Sequence, residues 1–248
     1  MRGLRRGADG RAGGDSPGDR GVLRGAQGPG KKKSLTGRRF LVTAGPTREV
    51  IDPVRYITNY SSGKMGYAIA AAAAEQGASV TLISGPVELA APEGVVLVRV
   101  ESTAELHRAV GERFAQCDCL VMAAAPADYR PSRISSEKIK RIKNLRLELE
   151  ATGDILKDVA AGKRAGQIVV GFALETTDGV ANARRKLREK KLDLIVLNEP
   201  SADSGFLTDT NRVQVIGRDG EAEEWPLLAK GEVARRLVAR VAAMLGKR

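Results

Sequence analysis

From Arg38 onward, short apolar runs alternate with longer stretches whose apolar positions recur at helical spacing. The runs Phe40-Leu41-Val42-Thr43, Ser79 to Ile83, Val95 to Val100, Cys119 to Ala124, Gln167 to Phe172 and Leu194 to Leu197 predict strands. Several are apolar on both faces, as a sheet covered by helices on two sides requires. Helices are predicted at Lys64 to Gln76, Thr103 to Ala115, Asp154 to Ala161, Gly179 to Lys191 and Lys230 to Leu245. Gly77 ends the first of them, and the run Ala68 to Ala74 lets that helix lie close on the sheet. This order predicts an α/β fold with a Rossmann-like, doubly wound, mostly parallel sheet, whose ligands bind at the carboxyl ends of the strands. Two stretches depart from the rhythm. Leu145 to Glu150 alternates apolar and charged residues, and Val213 to Ile216 faces Glu224 to Leu227 across Arg218-Asp219-Gly220, which predicts an appended antiparallel hairpin.

Composition narrows the picture. The 248 residues are 42% hydrophobic, enough for one substantial domain, expected over 38–248. Residues 1–37 hold eleven of the 28 glycines and no aromatic residue, so they are expected to form a disordered basic tail. The formal net charge is +11, but residues 1–39 account for +8 of it and the rest of the chain for only +3. That distribution argues for a charged tail rather than a basic groove, and against a nucleic-acid partner. No apolar run approaches the roughly 20 residues of a membrane span, so a cytoplasmic protein without membrane contact is expected. Cys117 and Cys119 lie one residue apart, poorly placed for a disulfide, and as a metal half-site they lack a second Cys/His cluster.

The candidate chemistry starts after the first strand. Val42-Thr43-Ala44-Gly45-Pro46-Thr47-Arg48-Glu49 leads into a long polar loop, Asp52-Pro53-Val54-Arg55-Tyr56-Ile57-Thr58-Asn59, which reaches a helix start at Ser61-Ser62-Gly63-Lys64. That start matches neither Gly-x-Gly-x-x-Gly nor the P-loop. It admits two readings, a plain Ser N-cap or a cradle in which backbone N–H groups, hydroxyls and a Lys receive a phosphate. At the end of the fourth strand, small residues precede Pro126-Ala127-Asp128-Tyr129-Arg130, where Asp128 can accept from a base amino group or ribose hydroxyls. Arg130 to Arg146 carries seven Lys/Arg against the single acid Glu137, and reads either as a mobile flap over a polyphosphate or as a solvated loop. Lys186 and Lys190, spaced i, i+4, share a helix face as uncompensated like charges. His107, the only histidine, has no carboxylate or nucleophile near it in sequence and reads as structural, and Trp225 reads as hairpin packing.

Taken together, the segments Val-Thr-Ala-Gly-Pro-Thr-Arg-Glu, Asp-Pro-Val-Arg-Tyr-Ile-Thr-Asn-Tyr-Ser-Ser-Gly-Lys-Met-Gly, Ala-Asp-Tyr-Arg-Pro, Glu-Lys-Ile-Lys, Val-Gly-Phe-Ala-Leu-Glu-Thr and Lys-Leu-Asp-Leu-Ile-Val-Leu-Asn resemble the bacterial phosphopantothenate-cysteine ligases of coenzyme A synthesis, over about Arg38 to Leu245. The resemblance implies a CTP- and Mg²⁺-dependent ligase acting on 4′-phosphopantothenate and L-cysteine through an acyl-cytidylate. It also implies a homodimer and, since no flavin decarboxylase domain precedes Arg38, a stand-alone form. By motif, Asp128, Lys138, Phe172, Lys186, Lys190 and the turn Asp154-Ile155-Leu156 belong to the CTP site. Asn59 corresponds to the family's catalytic asparagine, with Lys138 beside the reacting groups. Arg55, Ser61, Ser62 and Gly63 would hold the phosphate of the acyl substrate, Arg55 by reaching across the dimer. No ligands are implied for the metal. Pro126 stands where the family commonly has Val, and Gly153 where Pro is usual. The rival class is a nicotinamide-dependent reductase on the same fold, which the missing glycine fingerprint opposes.

Overall fold

The computed structural model describes residues 33–175, 178–198 and 208–246. The expected tail lies, up to residue 32, outside them. Residues 33–37 belong to the folded part, against the boundary expected at Arg38. Leu35 is fully buried and its N–H donates to the Gln76 carbonyl, so a single apolar side chain ahead of the first strand is already core.

In chain order the elements are β1 (Arg39–Ala44), β2 (Arg48–Asp52), β3 (Arg55–Thr58), α1 (Lys64–Glu75), β4 (Ser79–Ser84), β5 (Val95–Arg99), α2 (Thr103–Phe114), β6 (Cys119–Met122), β7 (Tyr129–Pro131), β8 (Leu149–Ala151), α3 (Ile155–Ala161), β9 (Ile168–Leu174), α4 (Gly179–Glu189), β10 (Leu194–Asn198), β11 (Thr210–Gly217), β12 (Ala222–Ala229) and α5 (Lys230–Gly246). The main sheet runs β12-β11-β10-β9-β6-β1-β4-β5. Its six strands from β5 to β10 are parallel, and β11 and β12 add antiparallel at one end. Numbered among themselves, the parallel strands have the order 3-2-1-4-5-6, so the chain reverses its winding between β1 and β6. Crevices for ligands form at that switch point, outside the carboxyl ends of the two strands.

The strands are apolar on both sides because both sides are covered. Phe40, Val42, Val121 and Val170 face α1 and α5, whereas Leu41, Leu120, Val169 and Ile195 face α2, α3 and α4. The alternation is the period-2 geometry of a strand read into two cores. Helix α1 comes very close to β1: a Cβ on Gly66 would stand 2.6 Å from the Ala44 Cβ and 2.7 Å from the Thr43 carbonyl oxygen. Cys117 and Cys119 are both buried, and burial pushes the Cys117 thiol up to about 11 and that of Cys119 well above its ordinary value.

The hairpin expected at residues 213–227 is β11–β12, with Trp225 buried in it. Pro226 sits within β12, the edge strand, the position in a sheet where a residue without an N–H is tolerated. Of the alternating stretch 145–150 only its end becomes a strand, β8, paired with β7. The long loop after β1 is itself structured. Strands β2 and β3 pair as an antiparallel hairpin, and the Arg48 guanidinium lies 4.6 Å from the Tyr56 ring centroid.

Replacing Gly66 with Ala sets a methyl group against backbone that cannot yield, so Gly66→Ala should lower stability by about 1–3 kcal/mol. Urea unfolding of the two proteins measures this, and an unchanged midpoint would show that α1 can move off β1.

Candidate active site at the switch point

Buried hydroxyls fix the loops around the crevice. The Thr47 hydroxyl, 0% exposed, accepts the Ala127 N–H at 2.9 Å and lies 2.8 Å from the Thr103 hydroxyl, while the Thr103 hydroxyl donates to the Ala127 carbonyl at 3.3 Å. Since each hydroxyl has one proton, Thr47 is the donor between the two. The Thr47 carbonyl takes the Thr58 hydroxyl at 2.7 Å, and the Thr103 N–H donates to the buried Glu49 at 2.8 Å. The loop after β1, the residues after β6 and the start of α2 are thereby one unit. Pro126 has no N–H to contribute, but its neighbours do: Ala125 N–H donates to the Gly45 carbonyl, and Ala127 N–H to Thr47. The departure at Pro126 therefore leaves this hydrogen-bonding frame complete.

Two cavities open at the strand ends. The first, of about 280 Å³, is lined by Ser61, Ser62, Gly63, Lys64 and Met65, by the residues after β6, and by Phe172, Lys186, Asn198, Asn211 and Lys230. The second, of about 540 Å³, is lined by Pro126, Asp128, the turn Asp154-Ile155-Leu156, Phe172 and Lys190. They share Ala124, Asp128 and Phe172 as a common wall. Asn59 lines neither cavity itself, but its Nδ2 donates to the Pro126 carbonyl at 2.8 Å and approaches that of Ala125 at 3.5 Å, and of these two residues Ala125 lines the first cavity and Pro126 the second.

The start of α1 is not a Ser N-cap. Gly63 is the residue before the helix, at φ 73°, and no side chain caps it. The Ser61 hydroxyl instead accepts the Gly63 N–H at 3.3 Å. Glycine tolerates this left-handed turn at low cost, and the turn leaves the first N–H groups of α1 without a side-chain acceptor.

The Lys186/Lys190 pair is compensated, contrary to expectation. Lys186 Nζ donates to Glu175 at 2.6 Å and Lys190 Nζ to Asp154 at 3.0 Å. The acids come from the strand and turn facing α4, which sequence spacing on the helix does not reveal. Asp154 also caps α3 through the Lys157 N–H at 3.2 Å. Burial raises its pKa, but Lys190 and that N–H outweigh burial and hold it below the ordinary value. His107 likewise has a partner that sequence proximity hid, since its Nε2 lies 3.0 Å from Asp158 on α3. It also accounts for Gly153, where a Cβ would come within 2.9 Å of the His107 Nδ1.

Arg55 and Lys138 line neither of these cavities. They meet in a third, of about 530 Å³, with Ile139, Lys140, Arg141, Ile142 and Leu145. The buried Asp52 organises it. Its carboxylate accepts from the Val54 and Arg55 N–H groups at 2.9 Å, from the Arg55 guanidinium, and from the Ile139 N–H at 3.1 Å. Arg55 also donates to the Ile139 carbonyl at 2.8 Å. Within one chain, then, Asp128, Phe172, Lys186, Lys190, the turn 154–156 and residues 59–63 come together, and Arg55 and Lys138 form a separate basic group. Sequence reasoning gave no role to Asp52, and none to Asn211 or Lys230. The last two lie far from any motif, Asn211 on β11 and Lys230 at the start of α5.

A doubly wound sheet with an uncapped helix start and lysines around a crevice at its switch point is an α/β architecture with the geometry and charge suited to a phosphate group. The chain belongs to the family described as the DNA/pantothenate metabolism flavoprotein C-terminal domain, which it matches over residues 35–245. It is 45% identical over 213 residues to the coenzyme A biosynthesis bifunctional protein CoaBC of Bacillus subtilis (strain 168), covering 85% of this chain and 52% of that protein. It is 44% identical over 219 residues to a cysteine/cysteine sulfinic acid decarboxylase from an unknown prokaryotic organism, covering 86% of this chain and 60% of that one. The chain thus spans about half the length of these relatives. The crystal structure of the C-terminal domain of a CoaBC protein superposes with a TM-score of 0.76 at 44% identity, covering 87% of this chain and all of that domain. No helix among the described residues is long and apolar enough to cross a membrane.

Arg55 holds the Asp52 carboxyl well below the ordinary carboxylate value near 3.8, with the backbone donors adding to this and burial opposing it. A group depressed in the folded state stabilises above its unfolded pKa and loses that contribution as pH falls. Stability should therefore decline as pH drops below about 4, and Asp52→Asn, less stable at neutrality, should show a shallower decline. Thermal melts from roughly pH 6 to roughly pH 3 read this, and parallel acid limbs for the two proteins would remove Asp52 as a source.

Proposed function

We propose that this chain is the ligase half of coenzyme A assembly, joining 4′-phosphopantothenate to L-cysteine with CTP. The observation that carries the reading is the pair of adjoining cavities, with Asn59 hydrogen-bonded to the Pro126 carbonyl beside them, in a chain that matches a whole CoaBC C-terminal domain. The second cavity takes the nucleotide, with Asp128, Phe172 and the 154–156 turn around the base and ribose and Lys190 toward the phosphates. The first takes the acyl substrate, whose phosphate meets Ser61, Ser62 and Gly63. In the first step the substrate carboxylate attacks the CTP α-phosphorus, and the bond to pyrophosphate breaks. In the second the cysteine amine attacks the acyl carbon, CMP leaves, and the amine loses a proton to solvent.

Lys186 and Lys190, held in place by Glu175 and Asp154, offer positive charge where the triphosphate and carboxylate must approach one another. The Asn59 amide has two hydrogens, one well placed on the Pro126 carbonyl and one only 3.5 Å from that of Ala125. The Nδ2–H facing Ala125 can donate a hydrogen bond to the acyl oxygen instead as negative charge develops there. Among the described residues no three His, Cys, Asp or Glu side chains converge as a metal cage. Asp128, which lines both cavities, is the carboxylate that would help hold a Mg²⁺ brought in on triphosphate oxygens. When bound, the ion neutralises the triphosphate.

A homodimer accompanies this reading. Tyr56 on β3, Tyr60 just after it, and Ile134, Ile142 and Leu147 in the 130–149 segment are exposed, and Ile142 lines the cavity that holds Arg55 and Lys138. Pairing two chains through this face lets both cations reach the partner's crevice. Cytoplasmic placement is consistent with this chemistry.

Purified protein with 4′-phosphopantothenate, cysteine, Mg²⁺ and CTP should release pyrophosphate and form the amide. Absence of turnover with every nucleotide tried would end the proposal. Asn59→Ala should slow the second step by about 10²-fold, the scale of one oxyanion donor, and let the acyl-cytidylate accumulate. Equal loss in both steps would make Asn59 a loop residue only. Ile142→Asp should shift the protein from dimer to monomer in sedimentation and lower turnover, while an active monomer would remove the cross-chain role of Arg55 and Lys138.

A further inference from the structure

The first cavity has an end that none of the motif residues explains. Lys230 opens α5 and is only 6% exposed, yet it lines the cavity beside Lys64 and the start of α1. Its backbone N–H donates to the Asp209 carbonyl at 2.9 Å, while the Asp209 carboxylate takes Lys64 Nζ at 2.6 Å. Asn211, 4% exposed, lines the same end. Its Nδ2 is directed to the Met65 sulfur at 3.6 Å, and its buried Oδ1 has no hydrogen-bond partner among the described residues.

A buried carbonyl without a donor is costly, and native structures supply one from water or ligand. The same cavity is lined by Lys230, whose charge Asp209 already offsets in part, and by a helix start whose N–H groups no side chain caps. Both latter features select an anion. A phosphate that has lost its protons has no donor to give Asn211. The matching ligand therefore presents a phosphate with a hydroxyl or amide N–H a few bonds away, which a nucleotide's terminal phosphate does not. Burial first, and then Lys64, lower the Lys230 pKa from its ordinary value, and a bound dianion acts in the opposite sense.

We propose that Lys230 and Asn211 complete the subsite for the phosphorylated end of the acyl substrate, Lys230 pairing with the phosphate and Asn211 accepting from the adjoining hydroxyl or amide. The inference rests on the ligase reading for the identity of that substrate. It supplies, from within one chain, the cation that Arg55 does not bring to the α1 start.

Calorimetric titration of the full chain without CTP tests this apart from turnover. Wild-type protein should bind 4′-phosphopantothenate more tightly than pantothenate. Lys230→Gln should weaken 4′-phosphopantothenate binding by about tenfold or more, the scale of a hydrogen bond to a charged group, and close the gap between the two ligands. Asn211→Leu should weaken both ligands and leave CTP binding as it was. Wild-type affinity for 4′-phosphopantothenate in Lys230→Gln would overturn the subsite. Should that variant not fold, Asn211→Asp decides: a carboxylate there should repel the phosphate and weaken binding, and unchanged affinity would equally overturn it. If wild-type protein binds 4′-phosphopantothenate in this Lys230-dependent way yet forms no amide with any nucleotide, the ligase reading falls while the subsite stands.

Discussion

The Thr47 side chain is the joint on which the site depends. One hydroxyl with one proton accepts from the residue after Pro126 and donates to the first residue of α2, while its backbone carbonyl anchors the end of β3. In a buried setting each of these groups would be expensive to leave alone. The loop after β1 and the exit from β6 are therefore fixed relative to each other on the two strands that flank the switch point. The position of Asn59, set by the Pro126 carbonyl, follows from the same frame.

Around that frame, cations are stored with acids. Lys64 with Asp209, Lys186 with Glu175, Lys190 with Asp154 and Arg55 with Asp52 each keep a long side chain in one orientation. All four cations are at least a quarter exposed. The three lysine pairs, accessible to water, contribute little net stability and are readily exchanged for another anion, whereas Arg55 rests on a fully buried Asp52 carboxylate and stays with it. A polyphosphate entering the crevice thus meets oriented charge without having to order it, which is the condition for charge to assist a reaction.

The doubly wound sheet was legible because each parallel strand is a short, apolar run bounded by turns, and because the five helices carry clear apolar stripes. The β2–β3 hairpin was not. It buries little of either face, as exposed Val50 and Tyr56 show, so no hydrophobic period marks it. Leu35 escaped notice because one buried side chain in a Gly- and Lys-rich setting makes no pattern. The residues at the common wall could be found from motifs close to strand ends, where topology predicts ligands. The acid partners of the lysines, the separation of Arg55 and Lys138 from the crevice, and the pairing of Lys230 with Asn211 are all products of tertiary placement, and chain spacing holds no record of them.

Pro226 has a consequence for how such molecules can meet. The sheet ends at β12, and a proline in its middle interrupts the row of donors that another strand would need to zip onto that edge. The sheet cannot be extended from that side by continuous pairing with a second copy, so growth into a fibre-like ribbon is blocked there.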